Sequence, residues 1–303
     1  MNSARTKGMK ICVGALVTGL GVVGIVPAAF PAPAQGTYEE TVERQLPFNP
    51  GARLSVEGGN GSVEISVWDR DEIKIIGKKR MKIERVNSWF ARLIGLKVPK
   101  IESDEDARKY LELFTIDVRG DADGLEVKTL RPASAGHLRF SMSYEIVLPR
   151  KSEVSVKTTH GRIEISGVSG SVGAETVNGR VIFRDITGPV HARTTNGRIE
   201  FDGISGGIEA RTINGRITGR LAAMPPSDVE ITCRTTNGRI RLGVPRDANF
   251  EVDIQTRSSK VISEFELTET TTDTPKHLEG IVGEGGPRIS LRTTNGAVTL
   301  EAL

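Results

Sequence analysis

The sequence predicts an all-β chain. It reads as a β-helix-like solenoid of about 18-residue coils with Asn-Gly turns, preceded by a β-rich segment that carries a short helical insertion. Three observations predict this: a gap-free internal repeat, a period-two alternation of apolar and polar residues inside each repeat, and two glycine-rich corners per repeat.

Four consecutive segments align without gaps: TTHGRIEISGVSGSVGAE from Thr158, TVNGRVIFRDITGPVHAR from Thr176, TTNGRIEFDGISGGIEAR from Thr194 and TINGRI from Thr212. Gly161, Gly179, Gly197 and Gly215 follow one another at intervals of 18 residues. The pattern returns as TTNGRIRL at Thr235 and TTNGAVTL at Thr293, and Gly59 to Ile65 foreshadow it. The turn positions are therefore Asn178-Gly179, Asn196-Gly197, Asn214-Gly215, Asn237-Gly238 and Asn295-Gly296. Asn-Gly is a strong turn signal because both residues tolerate positive φ, so Gly197 is expected at positive φ. After it, Arg198-Ile199-Glu200-Phe201 alternates as a half-buried strand does. A second corner follows at Gly203 to Gly207, and Ile208-Glu209-Ala210-Arg211 alternates again. Each unit is thus two short strands and two corners. Ile199, Phe201, Ile208 and Ala210 face inward, while Arg198, Glu200, Glu209 and Arg211 face outward.

Stacked coils and an antiparallel meander both produce such units. The constant period favours coils, because a meander does not require one. Stacking brings Arg162, Arg180, Arg198 and Arg216 together as like charges, which outward Glu164, Glu200 and Asp202 partly offset. The later units are irregular. Asn214 to Asn237 is five residues longer than the period, and the excess falls around Leu221 to Pro226. Residues 268–276 read as a Thr-rich loop, and Ser258-Ser259-Lys260 as a degenerate turn.

Residues 35–150 form the N-terminal β segment and residues 151–303 the repeat solenoid. Strand patterns occur at Arg53–Val67, Glu72–Ile76, Phe114–Val118, Leu125–Thr129 and Phe140–Leu148. A helical insertion is expected near 86–114. Ser103 followed by Asp104-Glu105-Asp106 is a helix start, and Ala107, Tyr110, Leu111 and Phe114 recur at helical spacing. The basic-flanked cluster Ser88–Leu96 reads as a flap over the β core. Its Trp89, Phe90, Leu93 and Ile94 are also candidates for a membrane or partner contact.

Residues 1–34 carry three basic residues and no acidic one. They contain an apolar run from Ile11 to Phe30 and end on small residues Ala32 and Ala34. This is the plan of a secretory signal peptide cleaved after Ala34, the rival being an uncleaved anchor. Without them the formal net charge of +3 becomes zero, with 38 residues of each sign, so the basic balance indicates no nucleic-acid surface. An apolar content of 37% excludes a disordered chain and a polytopic membrane protein. Two cysteines make no disulfide framework, and Cys233, within a strand pattern, reads as a small core residue.

The T-x-N-G-R-I units, the preceding Ile146-Val147-Leu148-Pro149 and the closing stretch from Gly283 to Gly296 together resemble the bacterial putative-adhesin family of β-strand-repeat domains of unknown function. The resemblance covers about residues 50–303. It implies an exported or envelope-associated protein with a β-helix-like repeat, and it carries over no catalytic residues. The cluster at 86–99 looks like an insertion beyond the family's usual pattern.

Catalytic, cofactor and metal motifs do not emerge. Gly203-Ile204-Ser205-Gly206-Gly207 matches G-x-S-x-G, but strand follows on both sides where a nucleophile elbow needs a helix. His137, His160, His191 and His277 lack metal-motif spacing, and His160 stands where its siblings have Asn. Asp121-Ala122-Asp123-Gly124 reads as a hairpin turn, since the later ligands of a calcium loop are missing. Glu164, Glu200 and Asp202 raise a polysaccharide-active β-helix enzyme as an alternative. They recur with the repeat, however, and residues 151–303 hold no Trp or Tyr for sugar stacking. A third reading is a periplasmic or membrane-associated regulatory partner. The preferred expectation is a non-enzymatic exported envelope protein with no cofactor, an adhesin or scaffold built on a rigid repeat platform. Its expected partners are an envelope protein or a second copy. Membrane contact would run through the leader or residues 88–96, and no nucleic acid is expected.

Overall fold

The computed structural model describes residues 36–83, 104–131 and 139–303. The leader and the cluster of Trp89, Phe90, Leu93 and Ile94 lie outside them. Strands β1 (Gly36–Pro47), β2 (Arg53–Glu57), β3 (Val63–Trp68) and β4 (Glu72–Ile83) precede helix α1 (Asp104–Glu112). Then come β5 (Thr115–Asp121), β6 (Gly124–Leu130) and β7 (Arg139–Pro149). The repeat region supplies β8 (Glu153–His160), β9 (Ile163–Ser166), β10 (Val172–Asn178), β11 (Val181–Arg184), β12 (Val190–Asn196) and β13 (Ile199–Ile204). It continues with β14 (Ile208–Asn214), β15 (Ile217–Leu221), β16 (Ile231–Asn237) and β17 (Ile240–Val244). The C-terminal part holds β18 (Phe250–Thr256), β19 (Val261–Ser263), β20 (Glu269–Thr274), β21 (His277–Val282), β22 (Arg288–Asn295) and β23 (Val298–Ala302).

These strands make a two-sheet solenoid. One sheet runs β1-β4-β7-β3-β9-β11-β13-β15-β17-β23-β19, the other β20-β21-β18-β22-β16-β14-β12-β10-β8-β2-β6-β5. Each winding places one strand in each sheet, and windings pair in parallel at identical repeat positions. Thr176 lies beside Thr194 and Asn178 beside Asn196. Ile199 lies beside Val181 and Ile217. The parallel register excludes the meander. Inward positions meet between the sheets: Ile199, Phe201, Ile208, Ala210 and their equivalents are buried, as the alternation required. Cys233 occupies the rung of Ala210, between it and Leu291, and is fully buried there.

The order of stacking departs from the order of the sequence at both ends. The winding β2/β3 lies between β6/β7 and β8/β9, and the winding β22/β23 between β16/β17 and β18/β19. The chain therefore lays down a winding, leaves, and returns to insert one against it. Strands from both sides of residue 150 share both sheets. At the outermost windings the pairing turns antiparallel, as β1-β4-β7, β5-β6 and β18-β21-β20. Antiparallel hairpins close a stack that another parallel winding would otherwise extend. Residues 268–276, expected as a loop, contain the edge strand β20. Strand β1 was not apparent in the sequence, because Tyr38, Val42 and Leu46 are sparse among charges on a half-exposed edge. The helix is as expected: Ala107, Leu111 and Phe114 are buried and Phe114 packs on Phe140. The pairing of Asp121 with Gly124 across Ala122-Asp123 makes the predicted hairpin turn.

The Asn-Gly corners depart from the expected backbone conformation. Gly179, Gly197, Gly215 and Gly238 do not lie in the left-handed region, whereas Gly161 and Gly296 do, at φ of 135° and 156°. What all of them share is contact. A Cβ on Gly197 would stand 1.7 Å from the Gly179 carbonyl oxygen, and one on Gly215 would stand 1.7 Å from that of Gly197. The file runs from Gly61 through Gly161, Gly179, Gly197, Gly215 and Gly238 to Gly296, winding by winding. Glycine is needed because successive backbones pass at van der Waals distance. At the opposite corner the left-handed conformation does apply, at Gly167, Asp185 and Gly203 with φ of 78°, 53° and 70°.

Gly197→Ala should therefore lower stability by about 2 kcal/mol or more, as overpacking does. Gly59→Ala, with nothing within 4 Å of the new methyl, should change it little. Denaturant midpoints of the two variants check the difference, and equal midpoints would refute the contact argument.

Candidate functional site

The predicted turn asparagines form a single hydrogen-bonded file. Asn196 Nδ2 donates to Asn178 Oδ1 at 2.9 Å, and Asn214 to Asn196, Asn237 to Asn214 and Asn295 to Asn237 at 2.8 Å each. Ser258 Oγ donates to Asn295 Oδ1 and ends the file at the degenerate turn. At the other end Asn178 meets His160 Nε2 at 3.1 Å, and His160 Nδ1 meets Asn60 Oδ1 at 3.0 Å. The tautomer with hydrogen on Nδ1 satisfies both bonds and keeps every donor pointing the same way along the stack. One step inward, Thr194, Thr212, Thr235 and Thr293 are buried. Their hydroxyls donate to the carbonyls of Gly179, Gly197, Gly215 and Gly238. These residues are consumed by the architecture. They hold the backbone corner, winding by winding.

The outward faces carry what remains. On the sheet containing β9 to β17, arginines directly follow the corner glycines, giving Arg162, Arg180, Arg198, Arg216 and Arg239 one above the other. The sequence expected outward carboxylates to offset them, and for the earlier windings they do. Glu164 pairs with Arg162 and Arg184, and Glu200 with Arg180 and Arg198. Glu164 and Glu200 stand two windings apart in one register column, with Ile182 between them, and past Glu200 the carboxylates stop. In register with Glu200 stands Thr218, and beside Thr218 stands Arg241. Arg241 reaches Glu301 at 3.1 Å. Among the described residues no carboxylate lies within ion-pair distance of Arg216, Arg220 or Arg239. These three border a shallow groove of 540 Å³ that also takes in Arg198, Arg241 and the carboxylates of Glu200 and Asp202. Arg180 Nε, also on the groove, is buried without an acceptor. Phe183, Phe201 and Gly219 form its floor, and Phe201 covers the space where a Gly219 side chain would stand.

The opposite sheet carries a second arginine row, Arg193, Arg211 and Arg234, in which, among the described residues, Arg211 alone is ion-paired and Glu175 stands in register with Arg193. His191 Nδ1 lies 3.2 Å from Glu209, which also pairs with Arg211. Farther along, Asp253 is buried on the outer side of β18. It accepts hydrogen bonds from Arg292 at 2.7 Å, Gln255 at 3.0 Å and Arg288 at 3.4 Å, with His277 Nε2 also at 3.4 Å. Burial alone would raise its carboxyl pKa. The hydrogen bonds and charge of Arg292, with help from Arg288 and Gln255, outweigh that and hold it below the usual carboxylate range. This cluster ties β21 and β22 to β18, and no sequence motif announced it. Cys233 is fully buried, and desolvation pushes its thiol up to about 12. Ser205 of the G-x-S-x-G sequence sits in a corner, where its N–H donates to the Ile186 carbonyl. Among the described residues no group of three His, Cys, Asp or Glu side chains has metal-binding geometry.

A family model described as Toastrack DUF4097 matches residues 52–301. The chain is similar to a putative cell adhesion protein from Clostridium sporogenes, at 12% identity. That match covers 87% of this chain and 100% of that one, with a TM-score of 0.31. A putative lipid binding protein from Parabacteroides distasonis is similar at 11% identity over 86% and 96% of the two chains, with a TM-score of 0.26. No curated protein matches the chain.

Two outcomes follow from the buried groups. Because the Asp253 pKa is depressed in the folded state, its contribution is present above the unfolded carboxyl pKa of about 3.9 and is lost as pH falls through the folded value. Asp253→Asn should thus cost about 2 kcal/mol at pH 7, and the gap to the parent should close below about pH 4 in denaturant titrations. A gap that is constant with pH would contradict the ion-pair account. Cys233 should resist iodoacetamide at pH 8 in the folded protein and react once guanidinium unfolds it.

Proposed function

Because the chain belongs to the Toastrack DUF4097 family, whose function is unknown, we propose that it is a non-enzymatic, exported cell-envelope protein acting as a rigid binding platform, an adhesin or scaffold. The observation that carries this reading is the disposition of its polar side chains. They are spread along the stack in ion pairs within and between windings, Glu164 with Arg162 and Arg184, then Glu200 with Arg180 and Arg198. A catalytic centre instead concentrates unlike groups at one point. The stiffness comes from continuous backbone pairing and from the Asn and Thr files, which leave no hinge within the repeat. A surface held this rigidly loses little entropy on binding, and rigidity is what adhesion over a long face requires. Export is supported by the leader composition of residues 1–34.

The test is fractionation of a bacterium expressing the full chain, followed by retention of the purified full chain on envelope preparations. The expected result is a chain found outside the cytosol that binds envelope material saturably. A cytosolic chain, an absence of saturable retention, or a reproducible hydrolase or lyase activity abolished by one point substitution would overturn the proposal.

A further inference from the structure

The geometry points to a ligand for the uncompensated arginines: a linear acidic polysaccharide, lying along the stack over Arg216, Arg220 and Arg239. The inference rests on the platform reading and assigns that platform a binding face and a ligand class.

Four observations carry it. First, successive windings stand ~4.8 Å apart, so Arg198, Arg216 and Arg239 form a row of like charges along the stack. Such a row is repulsive unless anions intervene. The earlier windings supply the anion internally through Glu164 and Glu200, whereas the later ones replace it with Thr218 and Arg241. The protein thus keeps the guanidinium groups and drops their partners over a contiguous stretch. Second, the groove is not purely cationic. Glu200 and Asp202 remain at its edge and Thr218 lies within it. Guanidinium groups suit carboxylate, sulfate or phosphate oxygens, and the remaining acceptors suit sugar hydroxyls. Third, the groove offers a peptide little. Both backbone edges of β15 are already paired, to β13 and β17, so no strand can be added there. Fourth, its rings are hidden: Phe183 is 0% and Phe201 3% exposed, which leaves no stacking platform for nucleic-acid bases and makes charge and hydrogen bonds, not ring stacking, the means of holding a sugar chain. No large exposed apolar side chain lines the groove to enter a lipid surface, either.

The experiment titrates the full chain with polygalacturonate, with neutral dextran as comparator and with polyglutamate and duplex DNA as competing polyanions. Binding to polygalacturonate should be saturable and should weaken steeply between about 50 and 200 mM salt. Dextran should not bind. The triple variant Arg216→Ala, Arg220→Ala, Arg239→Ala should lose about tenfold or more in affinity. The same three positions changed to Lys should retain much of it, which separates charge from folding. Arg193→Ala, Arg211→Ala, Arg234→Ala on the opposite sheet, where Glu175 stands in register with Arg193 and Glu209 pairs with Arg211, should leave affinity unchanged. Melting temperatures of all variants show whether each is folded.

No binding at low salt, equal loss from the opposite-sheet triple, or equal affinity for polyglutamate or DNA would each overturn the assignment. A chain that is retained by envelopes yet ignores polygalacturonate sinks this inference alone and leaves the platform reading standing.

Discussion

The structure depends on one close approach. At the corner after each asparagine, the backbone of a winding rests on the backbone of the winding before it, with no room for a β-carbon between them. This contact sets the register. Once Gly197 sits on Gly179, Thr194 falls beside Thr176, Asn196 beside Asn178 and Ile199 beside Val181. A slip of one residue would turn every apolar side chain outward. The Thr hydroxyls and the Asn side chains then bind across the same corner. Backbone contact, buried hydroxyl and surface amide thus enforce one alignment at three depths.

A stack with such uniform rules has no natural end, since each exposed winding is a template for the next. The chain solves this by abandoning sequence order. It inserts β2/β3 behind β6/β7 and β22/β23 in front of β18/β19, so each outermost winding is tied to the body by a neighbour distant in sequence. Hairpins then complete the closure, with Phe250 against Phe265 at one end and Phe114 against Phe140 at the other. The Asp253 cluster belongs to the same task. Its arginines come from β22 and its aspartate from β18, so the pairing stitches an inserted winding to the one it covers. The interior of the repeat forms from local contacts, whereas both termini require the chain to return. That separation predicts slow completion of the ends relative to the middle.

The middle was legible in the sequence because its order in space is its order in the chain. Period, strand pairs, inward residues and both corners could be read from positions 158–220. The ends were opaque because insertion leaves no local trace. Asn60-Gly61 and Asn295-Gly296 carry the repeat motif, but nothing near them says which winding they adjoin. The physical reason for the corner glycines is opaque in the sequence for a related cause: a left-handed residue and a backbone contact both select glycine. The unpaired arginines were legible in principle. Aligning Glu164, Ile182, Glu200, Thr218 and Arg241 displays the loss of the carboxylate.

That contrast separates structure from recognition in this molecule. Positions that must repeat are occupied by backbone contact, buried hydroxyls and core packing, and any departure there costs stability. Outward positions are under no such demand, because a half-exposed ion pair contributes little to folding. A change there is cheap, so a change that leaves like charges stacked without relief calls for another partner. The groove over Arg216, Arg220 and Arg239 is where the outer pattern stops serving the fold. A ligand that supplies the missing anions would complete electrostatically what the earlier windings complete by themselves.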